Sequence, residues 1–215
     1  MDNTPEIEPT GLERQDIVAV FERLNAYLAE RNKSLELVLI GSAILIVEGM
    51  PNRGTQDIDV WRTGRAKDEA LLREAAEACS IAVNPEHQDP LIGHLSLVGN
   101  DFIGFPDYAL WKDETETFWS GSHLTLKKPP VGIMLGSKIA AWRSKDFADI
   151  SWILDTAPHW QESLDRFGPH FDKHVIKRMA INIDLFEYLV ETRKRHMIAD
   201  PETHAADILP RKKAP

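Results

Sequence analysis

Apolar residues at Ile17, Val18, Phe21, Leu24, Tyr27 and Leu28 recur at helical intervals, which predicts a helix from Glu13 to about Arg31. A short apolar run, Leu35–Ile40, predicts a strand. Ser42–Glu48 predicts a helix closed by Gly49 and Pro51. Asp57–Arg62 reads as a strand, Lys67–Cys79 as a helix, Ile81–Val83 as a short strand, and the alternating His94–Val98 as another strand. Residues 99–121 read as irregular and rich in aromatics, and His123–Lys127 as a strand ahead of Pro129 and Pro130. Beyond the prolines the period turns helical: Val131–Arg143, Asp146–Asp155, Pro158–Phe167 and Asp172 to about Arg195. The fold class expected is therefore α/β (α+β), a small mixed sheet with flanking helices plus a helical C-terminal subdomain. The boundaries expected are 1–128 for the sheet domain with its N-terminal helix, 129–200 for the helical part, and 201–215 for a tail.

The chain has 215 residues, 43% of them hydrophobic, enough for a globular core. Its net charge of −9 argues against a protein that grips nucleic acid over its whole surface, and leaves room for a local basic pocket. The single cysteine, Cys79, cannot form an internal disulfide. The N-terminal stretch MDNTPEIEPTGLERQ has neither a basic nor an apolar region of the kind a signal peptide needs, and no run approaches the ~20 apolar residues of a membrane span. The expectation is a cytoplasmic protein that makes no use of a membrane.

Candidate chemistry concentrates in LVLIGSAILIVEGMPNRGTQDIDVW, Leu37–Trp61. In a strand, residues two apart share a face, so Asp57 and Asp59 project together while Ile58 and Val60 point into the core. Two carboxylates so placed repel unless a cation lies between them, and Mg²⁺ (or Mn²⁺) takes such oxygen ligands together with substrate phosphates. Gly41 allows close approach of backbone or ligand, and Ser42 opens a helix whose free N–H groups suit a phosphate. The pattern proposes a triphosphate at Gly41 and Ser42, and a metal at Asp57 and Asp59.

Here the sequence resembles the nucleotidyltransferase superfamily of the DNA polymerase β type, whose signature pairs Gly-Gly or Gly-Ser with a later Asp-x-Asp. The text NRGTQDIDV is similar to the toxin-type nucleotidyltransferases of type IV toxin–antitoxin systems, the AbiEii-like group, and to an uncharacterised bacterial family beside it. Arg53 and Thr55 fall on matching positions, which implies a part in nucleotide binding.

A second stretch, LGSKIAAWRSKDFADISWIL, puts Lys138 on the helix face shared by Val131, Met134, Leu135, Ile139 and Trp142. Alone it reads as a structural ion pair or a lysine snorkelling to solvent. It also resembles the AbiEii-like segment K-x-x-A-x-R-x-x-R/K-D-x-x-D through Lys138, Ala141, Arg143, Lys145, Asp146 and Asp149. That resemblance implies Lys138 as a triphosphate ligand and Asp146 as a supporting or catalytic acid. Asp149 is left to cap, to pair with Arg143, or to do neither.

The superfamily's third carboxylate has two candidates, Asp101 ahead of Asp107, with Asp146 as a substitute. His170 and His174 read as a solvated helix start, and the six tryptophans as packing residues, with base stacking by Trp111 or Trp119 the less favoured alternative. RKRH at 193–196 and RKK at 211–213 read as solvated ends, with contact to an RNA backbone the less favoured alternative.

The resemblance implies a Mg²⁺-dependent transfer of a nucleoside monophosphate from an NTP to a hydroxyl of tRNA or protein, with a cognate antitoxin as partner. The alternative is a non-catalytic interaction protein on the same fold.

Overall fold

The computed structural model describes residues 11–62, 64–85, 93–99 and 104–199, with side chains to residue 192. Asp101, the preferred third acid, lies outside the described residues, as does the tail read from 201 onward. Seven α-helices and six strands are described: α1 Arg14–Glu30, β1 Leu35–Ile40, α2 Ser42–Val47, β2 Asp57–Trp61, α3 Ala66–Ala78, β3 Ala82–Val83, β4 His94–Val98, β5 Glu116–Ser120, β6 Leu124–Lys128, α4 Val131–Ala141, α5 Ser144–Thr156, α6 Trp160–Phe167 and α7 Lys173–Ala199. This is the mixed sheet with C-terminal helices that the pattern predicts.

The strands form one sheet in the order β3-β4-β2-β1-β6-β5. β1 and β2 pair antiparallel with Ile40 opposite Asp59, and β2 and β4 pair parallel with Asp57 opposite His94 and Asp59 opposite Ser96. The central strand β1 is buried on both faces, so it reads as continuous Leu-Val-Leu-Ile rather than as alternation.

The two faces carry different cores. Leu37, Leu39, Ile58, Val60 and Leu95 meet α1, α2 and α3 on one side. Val38, Ile40, Trp61 and Val98 meet Ile133 and Val175 of the C-terminal helices, and Phe171 just ahead of the last one, on the other. Asp57 and Asp59 share this second face with Trp61, as the strand period requires.

Three expectations are corrected. The segment read as irregular holds β5, paired antiparallel with β6. Its residues are exposed or half-buried and the ladder shifts register between Thr117 and Trp119, so no clean alternation marks it.

The helix expected to run to Arg143 stops at Ala141. Trp142 takes a left-handed conformation (φ +47°), Arg143 is extended, and α5 begins at Ser144. The strained Trp142 is held by edge-to-face packing on Phe147, with ring centroids 4.9 Å apart.

The apolar stripe expected on α4 is wider than a stripe. Gly132, Ile133, Leu135, Gly136 and Ala140 are buried along with Met134 and Ile139. Gly132 allows this, because a Cβ there would run into the backbone of Ser163 and Leu164 in α6.

Trp111 is fully buried, donates its indole N–H to the carbonyl of Pro106, and packs against Trp61 and Tyr108. It is a core residue with no free face for a base.

Candidate active site

The C-terminal end of β1 turns through Gly41 directly into α2. Gly41 has φ +79° and ψ −164°, a region L-residues with side chains avoid. A Cβ at this position would also lie 2.6 Å from Oδ2 of Asp59. The glycine is thus required twice, and the second reason is the carboxylate of the DID strand. The two halves of the motif touch.

Asp57 and Asp59 line a cavity of about 410 Å³ between the sheet and the C-terminal helices. Gly41, Ser42 and Thr55 contribute to the same wall. The Thr55 hydroxyl lies 3.1 Å from both the backbone carbonyl and Oδ1 of Asp57, which fixes how that side chain leaves the strand. Burial, reinforced by the neighbouring charge of Asp57, raises the Asp59 carboxyl to about 7, against the partial relief given by Lys138, Lys145 and Arg143.

A buried network lies beneath this wall. Lys138 Nζ donates to Asp149 Oδ2 at 2.5 Å, Ser42 Oγ at 3.0 Å and Asp146 Oδ1 at 3.3 Å. Ser42 Oγ donates in turn to Asp149 Oδ2 at 2.7 Å and accepts from Arg53 Nη2 at 2.9 Å. Arg53 Nε holds the other Asp149 oxygen at 2.9 Å. Asp146 accepts from the backbone N–H and the guanidinium fork of Arg143, closing the first turn of α5.

Burial alone would raise Asp149. The Arg53 hydrogen bond, the Lys138 charge and hydrogen bond, and the Ser42 hydroxyl outweigh it and hold the carboxyl at about 2. Asp146 is likewise below the usual range, its burial outweighed by Arg143 and Lys138.

The residues singled out from sequence therefore separate by position. Gly41, Ser42, Thr55, Asp57, Asp59 and Lys138 line the cavity. Arg53 and Asp146 do not; they hold the network under it. Asp149, left without a firm role, is fully buried and is the network's centre.

Asp107 is no third carboxylate for the pair: it accepts from the Ala109 N–H and caps a short 3₁₀ turn away from the cavity. On β4 the positions level with Asp57 and Asp59 are His94 and Ser96. Among the described residues no cluster of three or more His, Cys, Asp or Glu side chains could hold a metal.

The rest of the lining was largely missed. It includes Arg143, Lys145, His174 and Arg178, with the apolar Phe105 and Val175. His174 is more than a solvated helix start. Its ring lies against Gly104 (φ +68°), where a Cβ would sit 2.7 Å from Cε1. The available signal was the helical spacing of His174, Val175 and Arg178, which puts two polar groups and a buried valine on one side of α7.

Paired carboxylates on a central strand, a strand–glycine–helix turn against them and cations lining the same cavity are thus brought together in an α+β fold. Residues 15–102, from α1 to just beyond β4, match a family profile described as a nucleotidyltransferase of unknown function (DUF6036). Over that span the chain is similar to this family, which supports the superfamily read from GS and DID. No curated protein and no solved structure matches the chain.

Proposed function

We propose that the protein is a metal-dependent nucleotidyltransferase that moves a nucleoside monophosphate from an NTP to an acceptor hydroxyl. One observation carries this reading: Asp57 and Asp59 of β2 line a cavity that Lys138, Arg143, Lys145 and Arg178 also line. The fit of a cation rests on the donor set. Burial, with the neighbouring Asp57 charge, raises Asp59 to about 7, a penalty that a cation would relieve, and the glycine beside it leaves its Oδ2 uncrowded. Hard oxygen donors of this kind suit Mg²⁺ or Mn²⁺, with phosphates and water completing the shell.

Asp57 and Asp59 would hold the ion, and the ion when bound supplies charge neutralisation at the phosphates. Thr55 keeps Asp57 aimed. Gly41 keeps the floor open. The network of Lys138, Asp146, Asp149 and Arg53 fixes α2, α4 and α5 around the cavity. The acceptor oxygen forms a bond to the α-phosphorus as the bond from that phosphorus to the β-bridging oxygen breaks. Pyrophosphate leaves with the electron pair, and the hydroxyl proton passes to solvent.

The acceptor is a tRNA 3′ end or a protein side chain, and the setting a toxin–antitoxin or phage-defence system with a cognate antitoxin. These follow from the AbiEii-like resemblance of NRGTQDIDV and of Lys138–Asp149. An NTP substrate carries a cytoplasmic location with it; no helix among the described residues is long and apolar enough to cross a membrane.

The test is to incubate purified protein with Mg²⁺ or Mn²⁺, each labelled NTP, total tRNA and cell lysate. Label should move to one acceptor class, and should stop moving in Asp57→Asn. No transfer, together with no NTP binding by calorimetry, discards the reading.

A second reading is favoured by the register of β4, which places His94 and Ser96, not an acid, beside the Asp pair. On that reading the chain acts by binding a partner. Asp57→Ala and Asp59→Ala would then keep any growth phenotype, and its loss in those variants would exclude it.

A further inference from the structure

We propose that Lys145 and Arg178 form the polyphosphate-binding wall of the cavity and that Lys138 is a positioning residue behind it. The proposal deepens the nucleotidyltransferase reading and rests on it.

An ammonium group has three donors, and all three of Lys138's are spent on Asp149, Ser42 and Asp146. Turning Lys138 toward a phosphate would leave Asp149, a fully buried carboxylate, short of a charge partner. The Ser42 hydroxyl is equally committed, donating once and accepting twice. The α2 helix behind it has only six residues, so its terminus adds little field. The Arg143 guanidinium is forked onto Asp146.

Two cations on the cavity remain. Lys145 and Arg178 come from different helices, both exposed, and both line the space that Asp57 and Asp59 face. Among the described residues neither has a hydrogen-bond or ion-pair partner, although acids outnumber bases 34 to 25 in this chain. Lys145 also stands in the first turn of α5, where the helix dipole disfavours a positive charge. A cation kept in a disfavoured position, unpaired and facing a carboxylate-lined cavity, is matched by an anion that brings its own metal. The β- and γ-phosphates of an NTP, or free pyrophosphate, have that chemistry. The planar fork of Arg178 suits two phosphate oxygens at once, and Lys145 acts as a point charge.

The test is calorimetry on the full chain with Mg²⁺-NTP, Mg²⁺-pyrophosphate and the uncharged nucleoside. Lys145→Gln and Arg178→Gln should each weaken NTP and pyrophosphate binding roughly tenfold or more, consistent with one charge-assisted hydrogen bond. The double variant should lose about a hundredfold, and Arg178→Lys should recover part of the loss. Melting temperatures should not move, since both side chains are exposed. If the double variant binds pyrophosphate as the wild type does, the inference is overturned and the proposed function stands. Equal weakening for the uncharged nucleoside also overturns it. If the wild type binds neither NTP nor pyrophosphate, both fall.

Discussion

Gly41 shows how one missing atom can organise a site. Its conformation and the nearness of the Asp59 carboxylate both exclude a side chain, for independent reasons. Gly41→Ala should therefore cost about 1–3 kcal/mol of stability in urea denaturation, from backbone strain alone. It should also abolish metal-dependent NTP binding by displacing Asp59, and a variant that keeps wild-type binding would show the contact to be incidental. This pair was legible in the sequence because strand period and turn chemistry are local. Asp149 was not. Its partners Ser42 and Arg53 lie 107 and 96 positions away, and nothing in DFADIS distinguishes a buried hub from a solvated helix acid. Asp149→Asn removes the charge that Lys138 and Arg53 share. It should cost about 3–5 kcal/mol, measurable by chemical denaturation, because it strands buried cations.

The corner between α4 and α5 brings Asp146 and Asp149 back onto Lys138 within eleven residues. Pattern reading expected a break between two helices here but placed it two residues late, because the usual breakers are absent; a tryptophan, not a glycine, takes the left-handed position. The aromatic contact with Phe147 explains why that residue is tolerated, and such a contact cannot be seen before the chain has turned. β5 escaped for a related reason, since an edge strand with mostly exposed side chains carries little periodic signal. The core strands, the DID face and the helical C-terminal half were legible because burial there imposes a period, whereas the order of the strands in the sheet rests on long-range pairing that no local pattern carries. Close packing of α4 against α6 depends on Gly132 in the same way. Gly132→Ala should destabilise by more than the usual benefit of alanine in a helix, about 1–3 kcal/mol net, because backbone atoms of Ser163 and Leu164 cannot yield. A melting temperature at or above wild type would refute that packing.

The two halves of the molecule meet at carboxylates with opposite pH behaviour, and this shapes the stability curve of the whole chain. Asp149 is held at about 2, below the ~3.9 of an unfolded aspartate, so the unfolded state binds the proton first. Its contribution is present above about pH 4 and is lost as pH falls toward 2. Asp59 is raised to about 7, so the folded state keeps a proton that the unfolded chain has released. Between about pH 4 and 7 this makes metal-free stability fall as pH rises, by on the order of 2 kcal/mol for a carboxylate beside an open cavity. Stability without metal should thus peak in the mildly acidic range. A bound divalent cation requires the ionised form, so it removes the penalty and stabilises by mass action. Thermal melts in EDTA should decline from pH 5.5 to 8, while melts in excess Mg²⁺ should not. The gap between the two should widen as pH rises and level off above 7. Asp59→Asn should abolish both the decline and the gap, since an amide neither titrates nor bears the charge a cation needs. A decline that survives in Asp59→Asn would assign the titration to another group, and a gap that stays constant from pH 5.5 to 8 would separate the cation from Asp59 altogether.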